Sequence, residues 1–332
     1  MALTSDQIRA LRSENPTARA RDFATTHGIA EAELVAALGP QRINPHPDRL
    51  FPLLEELGDV MALTRNKSAV SEIIGTYSNF QSGPHASMVT GPRIDMRMFP
   101  THWVHGFAVT EGAKRSLQVF DAAGDAIHKV HLREESSIAA FEALVATLRL
   151  PDAPVTPEAG AQVEPPHADP ARAEVLRAEW DRMTDTHQFV RITRKLKMNR
   201  LGAYRIVGAP RAVPLHPLAV TEVLEQAAAR TIPVMIFVGN PGCIQIHGGR
   251  ISNIRATGPW INVLDPGFDL HLRQDHVAEA WCVTKPTQRG PAISVEAFDA
   301  KGRLIAQIFG ARKDAQPEAW AELTSALAGV DA

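Results

Sequence analysis

Apolar residues in this chain fall into short runs, most of them alternating with polar residues at a period of two. VMALTRNKSAV at 60–70 and VMIFVGNPGCIQI at 234–246 are apolar segments broken by Asn and Gly turn signals, while IDMRMF at 94–99 and FDLHL at 268–272 alternate strictly. Both patterns describe strands with one face buried. SLQVFDAAGDAIHKVHL and AISVEAFDAKGRLIAQIFG each set a turn, Ala-Gly or Lys-Gly, between two alternating stretches. That arrangement predicts hairpins, so the sheets are predicted to be antiparallel. Helical sequence comes ahead of each set of strands, over residues 5 to about 38 and 173 to about 207. Helices segregated from strands in this way give an α+β fold.

The two sets of strands are related. Val60-Met61, Asn66, Gly75, Ser78 and Asn79 match Val234-Met235, Asn240, Gly249, Ser252 and Asn253 at a constant offset of 174, as from Asn66 to Asn240. The register continues through Asp95/Asp269, His102/His276, Val109/Val283 and Thr110/Thr284, and resumes after an insertion of four as FDAAG from Phe120 against FDAKG from Phe298. One register held over about fifty residues identifies an internal duplication. The expected organisation is two tandem structural repeats, each a large antiparallel β-sheet with flanking helices. Residues 1–150 form the N-terminal repeat and 173–332 the C-terminal repeat, joined by a Pro/Ala-rich linker at 151–172 (PDAPVTPEAGAQVEPPHADPAR).

Composition narrows the function classes. The chain has 332 residues, 45% of them hydrophobic, with 35 Lys+Arg against 37 Asp+Glu and a net charge of −2. That balance lacks the basic footprint of a general nucleic-acid or membrane-surface binder. The stretch DFATTHGIAEAELVAALG mimics a helix-turn-helix, but its second helix carries Glu31 and Glu33 and no Lys or Arg, so nucleic acid is not an expected partner. The two cysteines, Cys243 and Cys282, have neither disulfide nor zinc-ligand spacing, and no apolar stretch is long enough to span a bilayer. The expected location is the cytoplasm.

The densest polar constellation is MTDTHQFVRITRKLKMNRLGAYRIVG at 183–208. Thr184 or Asp185 can cap a helix on which His187, Arg191 and Arg194/Lys195 recur on one side, and no acid occurs from Thr186 to Gly208. The stripe is either an anion-docking face or an ordinary basic surface. Arg97 shares a strand face with Asp95, opposite Ile94, Met96 and Met98; its counterpart in the second repeat is His271. A solvent-facing Arg has the same pattern. His102/His105 and His128/His131 have HxxH spacing, but on strands an odd separation sends the rings to opposite faces. Glu134-Glu135 reads as a solvated loop. The Gly239–Gly242 turn joins strands and opens no helix, which argues against a phosphate loop. No hydrolase signature is present.

At MTDTHQF, RIDMRMF, VMIFVGNPGCIQIHGGRISNI, WINVLDPGFDLHL, AEAWCVTKPT, ARDFATTHGIAEAEL and LTRNKSAV, the sequence resembles the haemin-degrading factor family, the HemS/ChuS/PhuS group of cytoplasmic haem-trafficking proteins. The likeness runs from about residue 15 to 320, skipping the linker. It implies two similar halves, with haem b in a cleft of the C-terminal half capped by a residue from the N-terminal half. By the family pattern His187 is the proximal iron ligand and Arg97 faces the iron from the other side. Imidazole is a strong axial ligand, and a guanidinium that stays protonated can donate to a distal ligand. Arg200, Lys285 and Arg312 are implied as propionate partners, with Met235 and Phe237 against the porphyrin. Three departures stand out. Ser71 replaces a His that allows a second haem in some relatives, Gln188-Phe189-Val190 replace additional histidines after the proximal one, and Phe309 replaces a Tyr.

Two functions follow from the resemblance. One is a haem carrier in a bacterial haem uptake and iron-utilisation system, taking haem from an inner-membrane ABC transporter to a haem oxygenase or storage acceptor. The other is an enzyme, with His187 and Arg97 as its catalytic residues, that opens the porphyrin with oxygen. Without a flavin or nicotinamide motif, its electrons come from an external reductant. A homodimer is compatible with either, and stable membrane insertion is not expected.

Overall fold

The computed structural model describes residues 3–311, 314–327 and 329. The chain divides into two compact units, one comprising Met1–Arg65, Ser71–Ala161 and Gly239–Ile246, the other Asn66–Val70, Gln162–Val238 and His247–Ala332. Each unit thus takes one short hairpin segment from the other half of the sequence, and the two borrowed segments are counterparts under the 174-residue offset.

The first unit opens with three short helices, α1 (Ser5–Glu14), α2 (Ala20–His27) and α3 (Glu31–Ala37), followed by β1 (Gln41–Arg42) and α4 (Pro47–Leu54). Strands β2 (Val60–Arg65), β3 (Ala69–Gly75), β4 (Ser87–Thr90), β5 (Asp95–Met98), β6 (His105–Glu111), β7 (Lys114–Phe120) and β8 (Ala126–Leu132) come next, and α5 (Ile138–Leu148) closes it. The C-terminal half of the sequence repeats the plan with α6 (Ala173–Asp181), α7 (Gln188–Lys195), α8 (Arg200–Val207), β9 (Ala212–Leu215), α9 (Ala219–Ala229), β10 (Val234–Gly239) and β11 (Cys243–Gly249). It continues through β12 (Ile254–Thr257), β13 (Trp260–Asp265), β14 (Phe268–Arg273), β15 (Glu279–Lys285), β16 (Ala292–Phe298) and β17 (Leu304–Gly310) to α10 (Pro317–Ser325).

The strand order β1-β6-β7-β8-β2 of the first unit reappears in the second as β9-β15-β16-β17-β10. Every pairing with a described register is antiparallel, including β6 with β7, β7 with β8, β15 with β16 and β16 with β17. The predicted α+β duplication is therefore the observed architecture. Both copies carry a register shift at the same place, Val119/Phe120 and Ala297/Phe298, where FDAAG and FDAKG turn. Gly124 and Gly302 complete those turns at φ +78°. A Cβ would lie 2.6 Å from Ala30 Cβ at the first and 2.7 Å from Pro166 Cγ at the second. Left-handed backbone and close approach together select glycine there.

The two hairpin asparagines do equivalent work. Asn240 accepts from the Gly242 and Cys243 backbone N–H groups and donates to the Arg65 and Ile127 carbonyls. Asn66 accepts from the Ser68 and Ala69 N–H groups and donates to the Ile305 carbonyl. An Asn that closes its own turn and ties a neighbouring strand satisfies backbone groups that burial would otherwise leave unpaired.

Alternation decides which face each strand buries. In β2, Val60, Ala62 and Thr64 are buried and the intervening residues half-exposed. The core of the second unit packs Trp180, Phe189, Tyr204, Trp281 and Phe298 beneath α6, α7 and α8. In the Pro/Ala-rich stretch only Pro170–Arg172 forms a helical turn. The Glu158 N–H bonds the Ala122 carbonyl in the first unit and the His167 N–H bonds Asn199 in the second.

Candidate functional site

His187 stands at the start of α7. Asp185, two residues earlier, accepts the His187 backbone N–H at 2.7 Å and lies 2.6 Å from its Nδ1 through the same oxygen. The turn is an Asx-turn whose acceptor also reaches the ring. A carboxylate only accepts, so Nδ1 carries the proton, and in the neutral imidazole the lone pair falls on Nε2. The side chain is 91% exposed. An imidazole with Nδ1 engaged and Nε2 open to solvent is a ready donor to a metal.

The sequence placed the cap at Thr184 or Asp185; the structure makes His187 itself the N-cap residue. Thr184 and Gln188 instead bond reciprocally, the Thr184 N–H to Gln188 Oε1 at 2.9 Å and Gln188 Nε2 to the Thr184 hydroxyl at 3.0 Å. Phe189, Ile192 and Thr193 are buried, while Val190, Arg191, Arg194 and Lys195 are exposed. The basic run is partly compensated by acids from other elements: Lys195 meets Glu179 at 3.3 Å, Arg205 pairs with Glu279, and Arg200 pairs with Glu296. The local sequence does not reveal this, because every partner is distant along the chain.

Beneath α7 lies a buried charge network. Glu296, fully buried on β16, accepts from Arg200 at 2.9 Å, the Tyr204 hydroxyl at 2.9 Å, Lys285 Nζ at 3.0 Å and the Ser294 hydroxyl at 3.0 Å. Lys285 also bonds the Tyr204 hydroxyl at 2.9 Å and sits 4.9 Å from the centre of the Phe189 ring. Burial pushes the Glu296 carboxyl up, but Lys285 and Arg200 outweigh it and hold it at about 2. Burial draws Lys285 down to about 8 against the pull of Glu296. Two of the three cations implied as propionate partners, Arg200 and Lys285, are thus brought together, around an internal carboxylate. Lys285 is nearly inaccessible, and the Arg200 side chain is 31% exposed.

Met235 and Phe237 lie half-exposed on one face of β10, opposite buried Val234, Ile236 and Val238. Met235 pairs in register with Phe309 on β17, whose ring centre is 5.2 Å from that of Phe237. Phe309, the departure from the family Tyr, therefore completes an apolar face with the two wall residues. Arg312 lies outside the described residues.

In the first unit, Arg97 sits on β5 between Met88 of β4 and Ile244 of β11. Its side chain is 34% exposed and pairs with Asp95, two residues earlier, and with the Met96 carbonyl at 2.9 Å. Ile94, Met96 and Met98 are fully buried, as the alternation predicts. His271, the counterpart in the second unit, bonds Asn262 at 2.7 Å. Ser71 is buried and its hydroxyl accepts from Gln245 Nε2 at 3.1 Å. His128 is buried with Nδ1 2.9 Å from the Thr64 hydroxyl and Nε2 2.6 Å from the Tyr77 hydroxyl. His131 lies three residues along the same strand in unbroken register, opposite Met61 and Ser116 where His128 is opposite Thr64 and Val119, so the two rings are on opposite faces.

The family model for the haemin-degrading HemS.ChuX domain matches residues 28–148 and 197–327. The chain belongs to this family. The two matched segments fall one in each repeat, so a HemS.ChuX domain is the duplicated unit. Arg97, Arg200 and Lys285 lie inside them, and His187 lies between them. The chain is 39% identical over 337 residues to the hemin transport protein HmuS of Yersinia pestis, covering 96% of both. It superposes on holo-PhuS, a heme-binding protein from Pseudomonas aeruginosa, with a TM-score of 0.92 and 38% identity over 98% of this chain and all of that one. It superposes on ChuS, an E. coli heme oxygenase, with a TM-score of 0.85 and 32% identity over 95% of this chain and 98% of that one.

Sequence reasoning did not single out Asp95, Tyr204 or Glu296, and took Asp185 only as a cap. The two aspartates have a signal in retrospect, since each stands two residues before a candidate iron-facing residue, in D-x-R and D-x-H. Glu296 has none.

Proposed function

We propose that this protein binds haem in a bacterial haem uptake and utilisation system, taking up imported haem through His187 in the cytoplasm and delivering it for iron use. The observation that carries the proposal is His187 itself, an exposed imidazole whose Nδ1 is committed to Asp185 and whose Nε2 is available. Membership of the haemin-degrading family and the similarity to a hemin transport protein and a heme-binding protein support haem as the ligand. Arg97 is assigned to the opposite side of the iron by the family resemblance, as a fixed donor oriented by Asp95. Met235, Phe237 and Phe309 supply an apolar face for the porphyrin, and Arg200 and Arg312 are the propionate partners in this reading. Lys285, nearly inaccessible, contributes to that charge through Arg200 and Glu296. Apolar walls with a few placed cations suit such a ligand. No described helix is long and apolar enough to cross a membrane, and in this reading an inner-membrane transporter supplies the haem.

A second reading is favoured by the similarity to a heme oxygenase. In it haem is the substrate, supplying both iron and the oxidisable ring. His187 fixes its position, Arg97 offers a hydrogen bond on the distal side, and an external donor provides electrons.

A haemin titration of wild type and His187→Ala, followed by ascorbate with catalase present, tests both readings. One haem per wild-type chain, a surviving Soret band and loss of that spectrum in His187→Ala support the carrier. Decay of the band to a ring-opened product with iron release, slowed by Arg97→Ala, supports the enzyme. Wild-type-like spectra and affinity in His187→Ala would refute the ligand assignment.

A further inference from the structure

Asp185 does more than shape a turn. Its Oδ1 is fixed by the His187 backbone N–H at 2.7 Å, and from that position it meets Nδ1 of the same residue at 2.6 Å. The turn therefore sets where the carboxylate is, and the carboxylate sets which ring nitrogen holds the proton. With the His187 side chain 91% exposed, packing does little to restrict ring rotation or choose the tautomer. The hydrogen bond does both. Hydrogen-bonding a ligating imidazole to a carboxylate also raises the basicity of the nitrogen that faces the metal.

We propose that Asp185 is a positioning residue for His187: it holds the imidazole in the Nδ1–H tautomer and strengthens Nε2 as a donor to haem iron, so that it governs how tightly the protein keeps its haem. The inference rests on the assignment of His187 as the iron ligand. The lever suits a protein that must hold and release the same molecule, since a bond made outside the ligand sphere changes retention without removing the ligand.

The test uses the full chain. In the apoprotein, ¹⁵N–¹H correlation spectra of the histidine side chains read the His187 tautomer, identified by its loss in His187→Ala. The wild type shows Nδ1–H, and Asp185→Ala loses that preference. With haem bound, Asp185→Ala shows a weakened iron–histidine stretch by resonance Raman and roughly tenfold faster transfer of haem to excess apomyoglobin, within the range typical of outer partners of metal ligands. Asp185→Asn retains an acceptor for the backbone N–H and for Nδ1–H but carries no charge. It keeps the tautomer, and its stretch falls between those of wild type and Asp185→Ala, separating the electronic effect from any loss of the turn. An unchanged tautomer, stretch and transfer rate in Asp185→Ala, while His187→Ala loses the haem spectrum, overturns the role of Asp185 and leaves the ligand intact. Retention of a wild-type haem spectrum by His187→Ala overturns the ligand assignment, and this inference with it.

Discussion

The second helix of each repeat follows the same plan, a short helix between a longer first helix and one that packs on the sheet, yet α2 and α7 begin with different chemistry. The N-cap of α2 is Arg19, with no side-chain cap, no acid two residues before it and Asp22 in its first turn. The N-cap of α7 is His187, held by Asp185, and the helix that follows carries Arg191, Arg194 and Lys195 and no acid. The two helix starts thus differ within one duplicated frame, an uncapped Arg19 at one and an imidazole bonded to a carboxylate at the other. The helices behind them differ too. The first residue of α3, Glu31, is buried against Lys129 and Arg65, whereas the first residue of α8, Arg200, reaches buried Glu296 alongside Lys285. The acid is on the helix in the first repeat and on the sheet in the second. In the second repeat the cations are thereby drawn under the helix that begins at His187, which anchors it from below.

The largest stability difference between the halves is expected at these two acids. Glu296→Ala leaves Lys285 and Arg200 facing each other without their carboxylate and costs about 3–5 kcal/mol by chemical denaturation. Glu31→Ala has the same sign and costs less, because Glu31 and Lys129 keep more solvent, 5% and 10%, than Glu296 and Lys285, 0% and 4%. Equal losses would mean that the two clusters are interchangeable parts of the frame.

Acid separates the halves by pH. Burial first, and then His131 nearby, lowers His128 in the first unit from 6.5 to about 3. Its native state stays neutral while the unfolded chain takes up a proton, so stability present above pH 6.5 is lost as pH falls toward 3. In the second unit Glu296 lies near 2 instead of 4.5, so its contribution persists above 4.5 and is lost only below. Hydrogen exchange followed from pH 7 downward is expected to show β2 and β8 amides losing protection before those of β15 and β16. The reverse order would contradict the contrast.

A smaller effect, equal in both halves, is expected at the shared turns. Gly124→Ala and Gly302→Ala each introduce a Cβ at φ +78° into contact with neighbouring carbon atoms. Each should cost about 1–3 kcal/mol by thermal unfolding. A neutral result at either position would show that its turn is not under the constraint the repeat implies.

The duplication was legible in the sequence because it is written in local chemistry. Asn66 and Asn240 close the same hairpin, Gly124 and Gly302 the same turn, and alternation around Arg97 put its buried neighbours on the correct face. The buried network was not legible. AISVEAF reads as an ordinary alternating strand, and only pairing with residues 96 and 11 positions away in sequence makes its Glu the centre of a cluster. Lys285 and Lys195 looked like available cations for the same reason, since their acids come from other elements. Asp185 was visible as a capping residue, but its bond to the ring depends on turn geometry that the spacing permits without requiring.

The central claim is that His187 Nε2 is the bond by which this protein holds haem. Haemin titration of His187→Gly with and without added imidazole tests it most directly. The account predicts that the variant alone binds weakly, by more than about a hundredfold, exceeding the 10- to 100-fold typical of losing an outer partner. Imidazole then restores the wild-type Soret spectrum by filling the vacated axial position. A variant that binds haem with the wild-type spectrum and affinity in the absence of imidazole would contradict it.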